Sequence, residues 1–211
     1  MELIISSIEL FQKGGFVMYP LLICSLMVIA IAVERYLYFK KAATDITSLL
    51  PELEPRLARY DWEGARSVCE GAGGVTAVML ANGLHNIRFD ACDLESTMTS
   101  TAAQAAAKLR NRLGYLDAIV TMAPLLGLLG TVIGMISSFS IMSLKAGQPY
   151  AITGGVGEAL VATATGLCVA VTALIVHTCY SHWLDSIVTG MEECGALLAE
   201  AKRRSDRRET A

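Results

Sequence analysis

The chain has 211 residues, a length at which one domain of about 100–200 residues is the usual expectation. Apolar residues reach 54% before its 18 glycines are counted, and charged residues only 18%. A soluble domain runs at about 45–50% with glycine included and about 25% charged, so a disordered chain is excluded and an ordinary soluble globule is disfavoured. The net charge of −3 speaks against nucleic-acid binding, which calls for a basic face.

Charge is unevenly spread. Residues 14–33, 118–144 and 159–184 carry none of the 17 basic and 20 acidic side chains. Each window is long enough to cross a bilayer as a helix, for which about 20 apolar residues suffice, and in lipid a helix is the form that satisfies its own backbone. A chain this short has no room to bury three such helices in a soluble core. The expected fold is an all-α integral membrane protein with three transmembrane helices, the second and third extended into a cytoplasmic helical bundle.

In chain order, residues 1–13 read as a periplasmic interfacial helix, with Ile4, Ile8 and Phe11 on one face and Glu2, Ser6, Glu9 and Lys13 largely elsewhere. Residues 14–39 form the first transmembrane helix. Glu2 and Glu9 against the single Lys13 make a poor signal-peptide flank, and Ile23 before Cys24 does not suit lipoprotein cleavage, so this span is read as retained. Residues 40–92 form a cytoplasmic helical loop. Polar punctuation falls at Pro51, Pro55 and Gly71-Ala72-Gly73-Gly74, with helical spacing in 55–70 (Leu57, Trp62, Ala65, Val68) and 76–87 (Val78, Leu84). Residues 93–144 read as one helix that enters the membrane, rich in the helix formers Ala102, Ala103, Ala105, Ala106 and Ala107. A short periplasmic loop over 145–154 leads to the third transmembrane helix at 155–184 and a cytoplasmic helical tail at 185–211. Gly154-Gly155-Val156-Gly157 lacks the Lys-Ser/Thr of a phosphate loop and reads as the turn into that span.

Lys and Arg orient the helices. Arg35, Lys40, Lys41, Lys108, Arg110 and Arg112 flank spans on the middle segment, and Lys202, Arg203, Arg204, Arg207 and Arg208 lie in the tail; the opposite side has Lys13 and Lys145. The expectation is a multi-pass membrane protein with its N-terminus outside, long middle segment inside, short loop outside and C-terminus inside, which the family resemblance described below translates into a bacterial inner-membrane protein with a periplasmic N-terminus and a cytoplasmic C-terminus.

Catalytic and metal chemistry find no support in the motifs. Cys24, Cys69, Cys92, Cys168, Cys179 and Cys194 form no C-x-x-C pair, and His177 and His182 read as interfacial polar residues. No enzyme activity, metal or cofactor is expected.

The second and third spans are unusual for lipid-facing helices. Gly127, Gly130, Thr131, Gly134, Ser137 and Ser138 share one broad face of the second, with G-x-x-x-G spacing at Gly130 and Gly134, and Pro124 as a potential kink. The third carries Ala159, Ala162, Thr163, Thr165, Gly166, Ala170 and Thr172, preceded by Glu158. Small residues let helices approach closely in a bilayer. A carboxylate at membrane depth normally faces protein or water, whereas at an interface it favours a helix N-terminus. The faces thus admit two readings, helix packing alone or the lining of an ion pathway. At about 1.5 Å per residue, Thr131 and Thr163 lie roughly 15–20 Å below the outer ends of their helices, so both could reach a common cavity; Glu158, five residues before Thr163, is off that helical line.

At these residues the chain resembles the MotA/TolQ/ExbB proton channel family, in Ala123-Pro124-Leu125-Leu126-Gly127-Leu128-Leu129-Gly130-Thr131-Val132-Ile133-Gly134-Met135 and Glu158-Ala159-Leu160-Val161-Ala162-Thr163-Ala164-Thr165-Gly166-Leu167. Val33-Glu34-Arg35 resembles the ExbB and TolQ branch, as do three spans in place of the four of MotA proteins. The resemblance implies a homopentamer around a dimer of a single-span ExbD/TolR-like partner, which supplies the essential membrane aspartate, and a TonB/TolA-like protein beyond it. It implies that proton flow drives work on the envelope, with Thr131 and Thr163 as pore threonines and Glu158 as the third-span glutamate. Thr165 completes the expected pathway, and Gly127, Gly130, Gly134 and Gly166 the expected packing positions. Thr172 departs from the proline that many relatives carry. The transported ion is H+, with Na+ as the alternative, and transport across the outer membrane, envelope maintenance and gliding are the candidate processes. A non-conducting membrane scaffold is the competing class.

Overall fold

The computed structural model describes residues 14–87, 91–144 and 149–209; the segment 1–13, read as an interfacial helix, and Lys145 lie outside the described residues. Within them the chain is α-helical without strands: α1 (Met18–Ala42), α2 (Ile46–Ala58), α3 (Trp62–Ala72), α4 (Gly74–His85), α5 (Ala91–Arg110), α6 (Leu113–Leu144) and α7 (Pro149–Glu209). Three helical stretches are long and apolar enough to cross a membrane: Met18–Ala58, which begins with α1, Leu113–Ser140 within α6, and Gly154–Arg208 within α7.

Three boundaries differ from the sequence expectation, each for a local reason. The run 93–144 is not one helix: it breaks at Asn111 and Arg112, where Arg112 takes φ 70°, a left-handed conformation uncommon for a side chain other than glycine. The Asn111 carbonyl accepts a hydrogen bond from the Arg35 guanidinium at 2.9 Å. Pro51 and Pro55 do not punctuate the chain; both lie inside α2. They sit on its exposed side, where carbonyls deprived of a partner face solvent, while Leu49, Leu53 and Leu57 bury the other side. Residues 149–157 belong to α7 rather than to a loop and turn. Pro149 opens that helix, where its missing N–H costs no bond.

The chain divides into two compact units, residues up to 34 with 112–179, and 35–111 with residues from 180 onward. In the first unit, the first part of α1, α6 and the first part of α7 pack through narrow stripes. Leu116, Ile119, Ala123, Gly127, Gly130, Gly134 and Ser138 are the buried line of α6, at the three- and four-residue spacing of one helix face. Large apolar side chains such as Leu125, Leu128, Ile136, Leu160 and Ile175 are exposed, the inverse of a soluble core.

The second unit has an ordinary apolar core. Phe39 is fully buried between the rings of Tyr180 and Trp183, with centroids 5.6 and 5.5 Å away. Leu49, Leu53, Leu80, Leu94, Met191 and Leu198 fill the rest. On α4, Met79 and Leu80 carry the buried face and Val78 is exposed. Asp61 caps α3 by accepting the Gly64 N–H at 3.0 Å. Glu95 of α5 pairs with Arg203 of α7.

Candidate functional site

The contact between α6 and α7 is built from residues without bulk. A Cβ placed on Gly127 would lie 3.0 Å from the Thr163 Cα, and one on Gly166 would lie 2.6 Å from the Ala123 carbonyl oxygen. One on Gly134 would meet the Gly155 carbonyl at 3.0 Å and the Ala159 Cβ at 3.1 Å, and Gly130 lies against the Ala162 methyl. The pairings run in opposite directions along the two helices, so α6 and α7 are antiparallel over this stretch. Backbone lies against backbone at Gly127 and Gly166, which is why neither site has room for a side chain.

The hydroxyls are bound to this seam in different ways. Thr163, half-buried, donates across to the Gly127 carbonyl of α6 at 3.0 Å. Within α6, that carbonyl faces the Thr131 amide four residues on, so Thr131 and Thr163 stand within about one helical turn of each other. Thr131 is half-buried on the flank of the seam and donates to its own helix, to the Leu128 carbonyl at 2.6 Å. Thr165 donates to the Val161 carbonyl at 2.9 Å. Ser138 donates to the Gly134 carbonyl at 2.9 Å, beside Gly155. Each hydroxyl that donates to a carbonyl keeps lone pairs able to accept from water or an ion. Glu158 lies apart from this layer. Its half-buried carboxylate rests against Gly15, which holds φ +68° just before α1, and a Cβ there would fall on the carboxylate oxygen.

Arg35 is the residue whose role the sequence does not disclose. As a cation beside a span it reads as a marker of orientation, yet it is only 5% exposed. Its guanidinium donates to the Asn111 carbonyl at 2.9 Å, reaches the Leu109 carbonyl at 3.5 Å, and stacks 4.8 Å from the Tyr38 ring. It thereby supplies donors to the open C-terminal end of α5. The neighbouring Glu34 pairs with Arg112. Only the turn at 111–112 creates these carbonyl acceptors.

These features define a multi-pass, all-helical membrane protein whose second and third spanning helices join through a glycine seam bearing hydroxyls. Residues 73–193 match the MotA/TolQ/ExbB proton channel family, and the chain belongs to that family, in its ExbB/TolQ branch. It is similar to a protein of Synechocystis sp. named ExbB-like 3, with 31% identity over 94% of this chain and 96% of that one. ExbB-like 1 of the same organism is 32% identical over 79% of this chain and 67% of its own length. The biopolymer transport protein exbB1 of Vibrio cholerae is 28% identical over 87% and 83%. The family is one of proton channels rather than enzymes, and its members are subunits of energy-transducing membrane complexes.

Proposed function

We propose that this chain is the pore-wall subunit of an inner-membrane motor that couples the proton-motive force to work on the cell envelope. Five copies would surround a dimer of a single-span ExbD/TolR-like partner, with a TonB/TolA-like protein taking up the work, for transport across the outer membrane or for envelope maintenance. The N-terminus would be periplasmic and the C-terminus cytoplasmic. H+ is the transported ion in this reading, and no cofactor takes part.

The observation that carries the proposal is the pairing of Thr131 and Thr163. They are half-buried hydroxyls on neighbouring antiparallel helices, within about a turn of one another, in stretches that hold no charge. A hydrated interior formed between copies would meet hydroxyl oxygens along this flank, and Thr165 would extend the path. The partner's carboxylate would alternate between charged and neutral as it passes them. Each proton falling through about 100 mV releases about 2.3 kcal/mol, enough to bias the turning of a helix pair within a ring. Glu158, against Gly15, would lie at the mouth of the path.

The Thr163 bond to the Gly127 carbonyl favours a second reading, a scaffold in which the hydroxyls serve packing alone. Thr131 separates the two, because its hydroxyl donates within α6, to the Leu128 carbonyl, rather than across to α7 as Thr163 does to α6. In the motor reading, Thr131→Val abolishes proton flux into liposomes holding the chain and its single-span partner, while the mass of the detergent-purified assembly stays that of the parent. An absence of proton flux in the parent assembly would leave the scaffold reading standing, and undiminished flux in Thr131→Val would remove Thr131 from the path.

A further inference from the structure

The stretch 197–208 near the end of α7 forms one wall of a cleft of about 500 Å³ in the second unit, far from the glycine seam in sequence. Five of the chain's 17 basic residues fall between positions 202 and 208. Arg204, Arg207 and Arg208 line the cleft, and their spacing of three and four residues sets them on one helix face. Lys202 and Arg203 fall off this face and pair with Asp206 and Glu95. Leu57 and Leu197 add apolar surface, and two carboxylates, Glu54 and Glu200, also line the cleft. Glu200 is paired with Arg204 at 2.5 Å.

Arg208 is positioned by an aromatic ring. Its guanidinium lies 5.3 Å over Tyr60, and Tyr60 packs in turn on Trp62 at 5.9 Å. Tyr60 holds φ 57°, a left-handed conformation that a bulky residue rarely adopts. The three guanidinium groups outnumber the two carboxylates of the cleft, and a multivalent anion, competing with Glu200 for Arg204, would match their planar donor forks. The volume is that of small-molecule sites, about 300–1,000 Å³. A lipid headgroup fits poorly, because Arg204 lies twenty residues beyond Leu184, about 30 Å of continuous helix from the end of the charge-free stretch, several times the Debye length of about 8 Å at physiological salt.

From the cleft, its arginine face and the ring-held Arg208, we propose that this site binds a soluble polyphosphate anion, either inorganic pyrophosphate or the polyphosphate arm of a nucleotide. The site is independent of the proposed ion pathway. Calorimetric titration of the full-length, detergent-purified protein with pyrophosphate, and separately with ATP and adenosine, tests it. Pyrophosphate and ATP should bind saturably at one site per chain, and adenosine should not bind. Arg204→Gln/Arg208→Gln should weaken binding about tenfold or more, as expected for losing charge-assisted hydrogen bonds, and Arg110→Gln should leave it unchanged. Arg208→Lys, which keeps the charge and loses the planar fork, should show a smaller loss in the same direction and serves if the double variant does not fold. The proposal is overturned by an absence of saturable pyrophosphate binding at millimolar concentration, or by an equal loss in Arg110→Gln. It is also overturned if micelles carrying phosphatidylglycerol bind through Arg204 and Arg208 while pyrophosphate fails to compete.

Discussion

Arg35 shows how much one buried donor can hold. Its charge is removed from water, and its compensation includes the Asn111 carbonyl, the more distant Leu109 carbonyl and the Tyr38 face. Arg35→Met keeps much of the length and removes the donors, so the carbonyls at the end of α5 lose their partner. The expected loss is about 1.5–3 kcal/mol, the range for hydrogen bonds to charged groups, read as a lower midpoint in thermal unfolding followed by helical circular dichroism. Arg35→Lys should recover little of it, because an ammonium lacks the planar fork that serves the carbonyls and the ring together. Cys69 gives a second reading at this scale. Burial, with a smaller contribution from the nearby Cys194, pushes its thiol up to about 11 from an ordinary 9.0. The thiolate is the reactive form, so alkylation of Cys69 in the folded protein should keep rising about tenfold per pH unit between pH 9 and 10.5, where an ordinary thiol would be levelling off. Mass spectrometry of the peptide containing Cys69, alkylated in brief pulses across that range, measures this; a plateau near pH 9 would contradict the assigned burial.

Between helices, the same residue type has opposite consequences at different positions. Gly166 faces the Ala123 carbonyl and the Gly127 backbone, whereas nothing lies within 4 Å of a Cβ on Gly157. Gly157→Ala should therefore stabilise α7 by about 0.5–1 kcal/mol, the usual gain of alanine over glycine within a helix. Gly166→Ala should separate α6 from α7, lowering the thermal midpoint of the purified protein and reducing the yield of intact assembly on size exclusion. Equal behaviour of the two variants would mean that the seam is not where these contacts put it. The contrast also marks what was legible in the sequence. Small residues at three- and four-residue spacing identify a packing face, because the spacing is a property of one helix. Which alanine or threonine each glycine meets depends on how two helices are staggered, and no local pattern records that. The same limit explains the divided helix at 111–112: its acceptor for Arg35 lies 76 positions away in the chain. In α2, by contrast, leucines four residues apart outweigh Pro51 and Pro55, whose exposed positions spare the core the missing N–H groups.

For the molecule as a whole, the uneven distribution of charge is the most readable feature, because hydrocarbon excludes ions over an entire span and not at one contact. It identifies the three apolar helices directly, and Lys and Arg then favour one orientation over its reverse. Arg35, Lys40, Lys41, Lys108, Arg110 and Arg112 lie beside spans on one side, against Lys13 and Lys145 on the other. Reversing the chain would carry the first group across the membrane, which the insertion bias disfavours. Arg35 belongs to this count yet is buried, so five exposed or flanking cations sustain the bias without it. A fluorescent protein fused after Ala211 should thus fold and fluoresce in the cytoplasm, and a cysteine introduced as Gln148→Cys, in a variant lacking the native cysteines, should react in intact spheroplasts with a thiol reagent that does not cross membranes. Placing Lys residues at 146 and 148 while neutralising Lys40, Lys41, Lys108 and Arg110 should weaken both signals together, since the two sides compete for the same bias. A dark fusion combined with a protected position 148 in the parent chain would overturn this orientation, because both readouts would then place the basic flanks on the outer side.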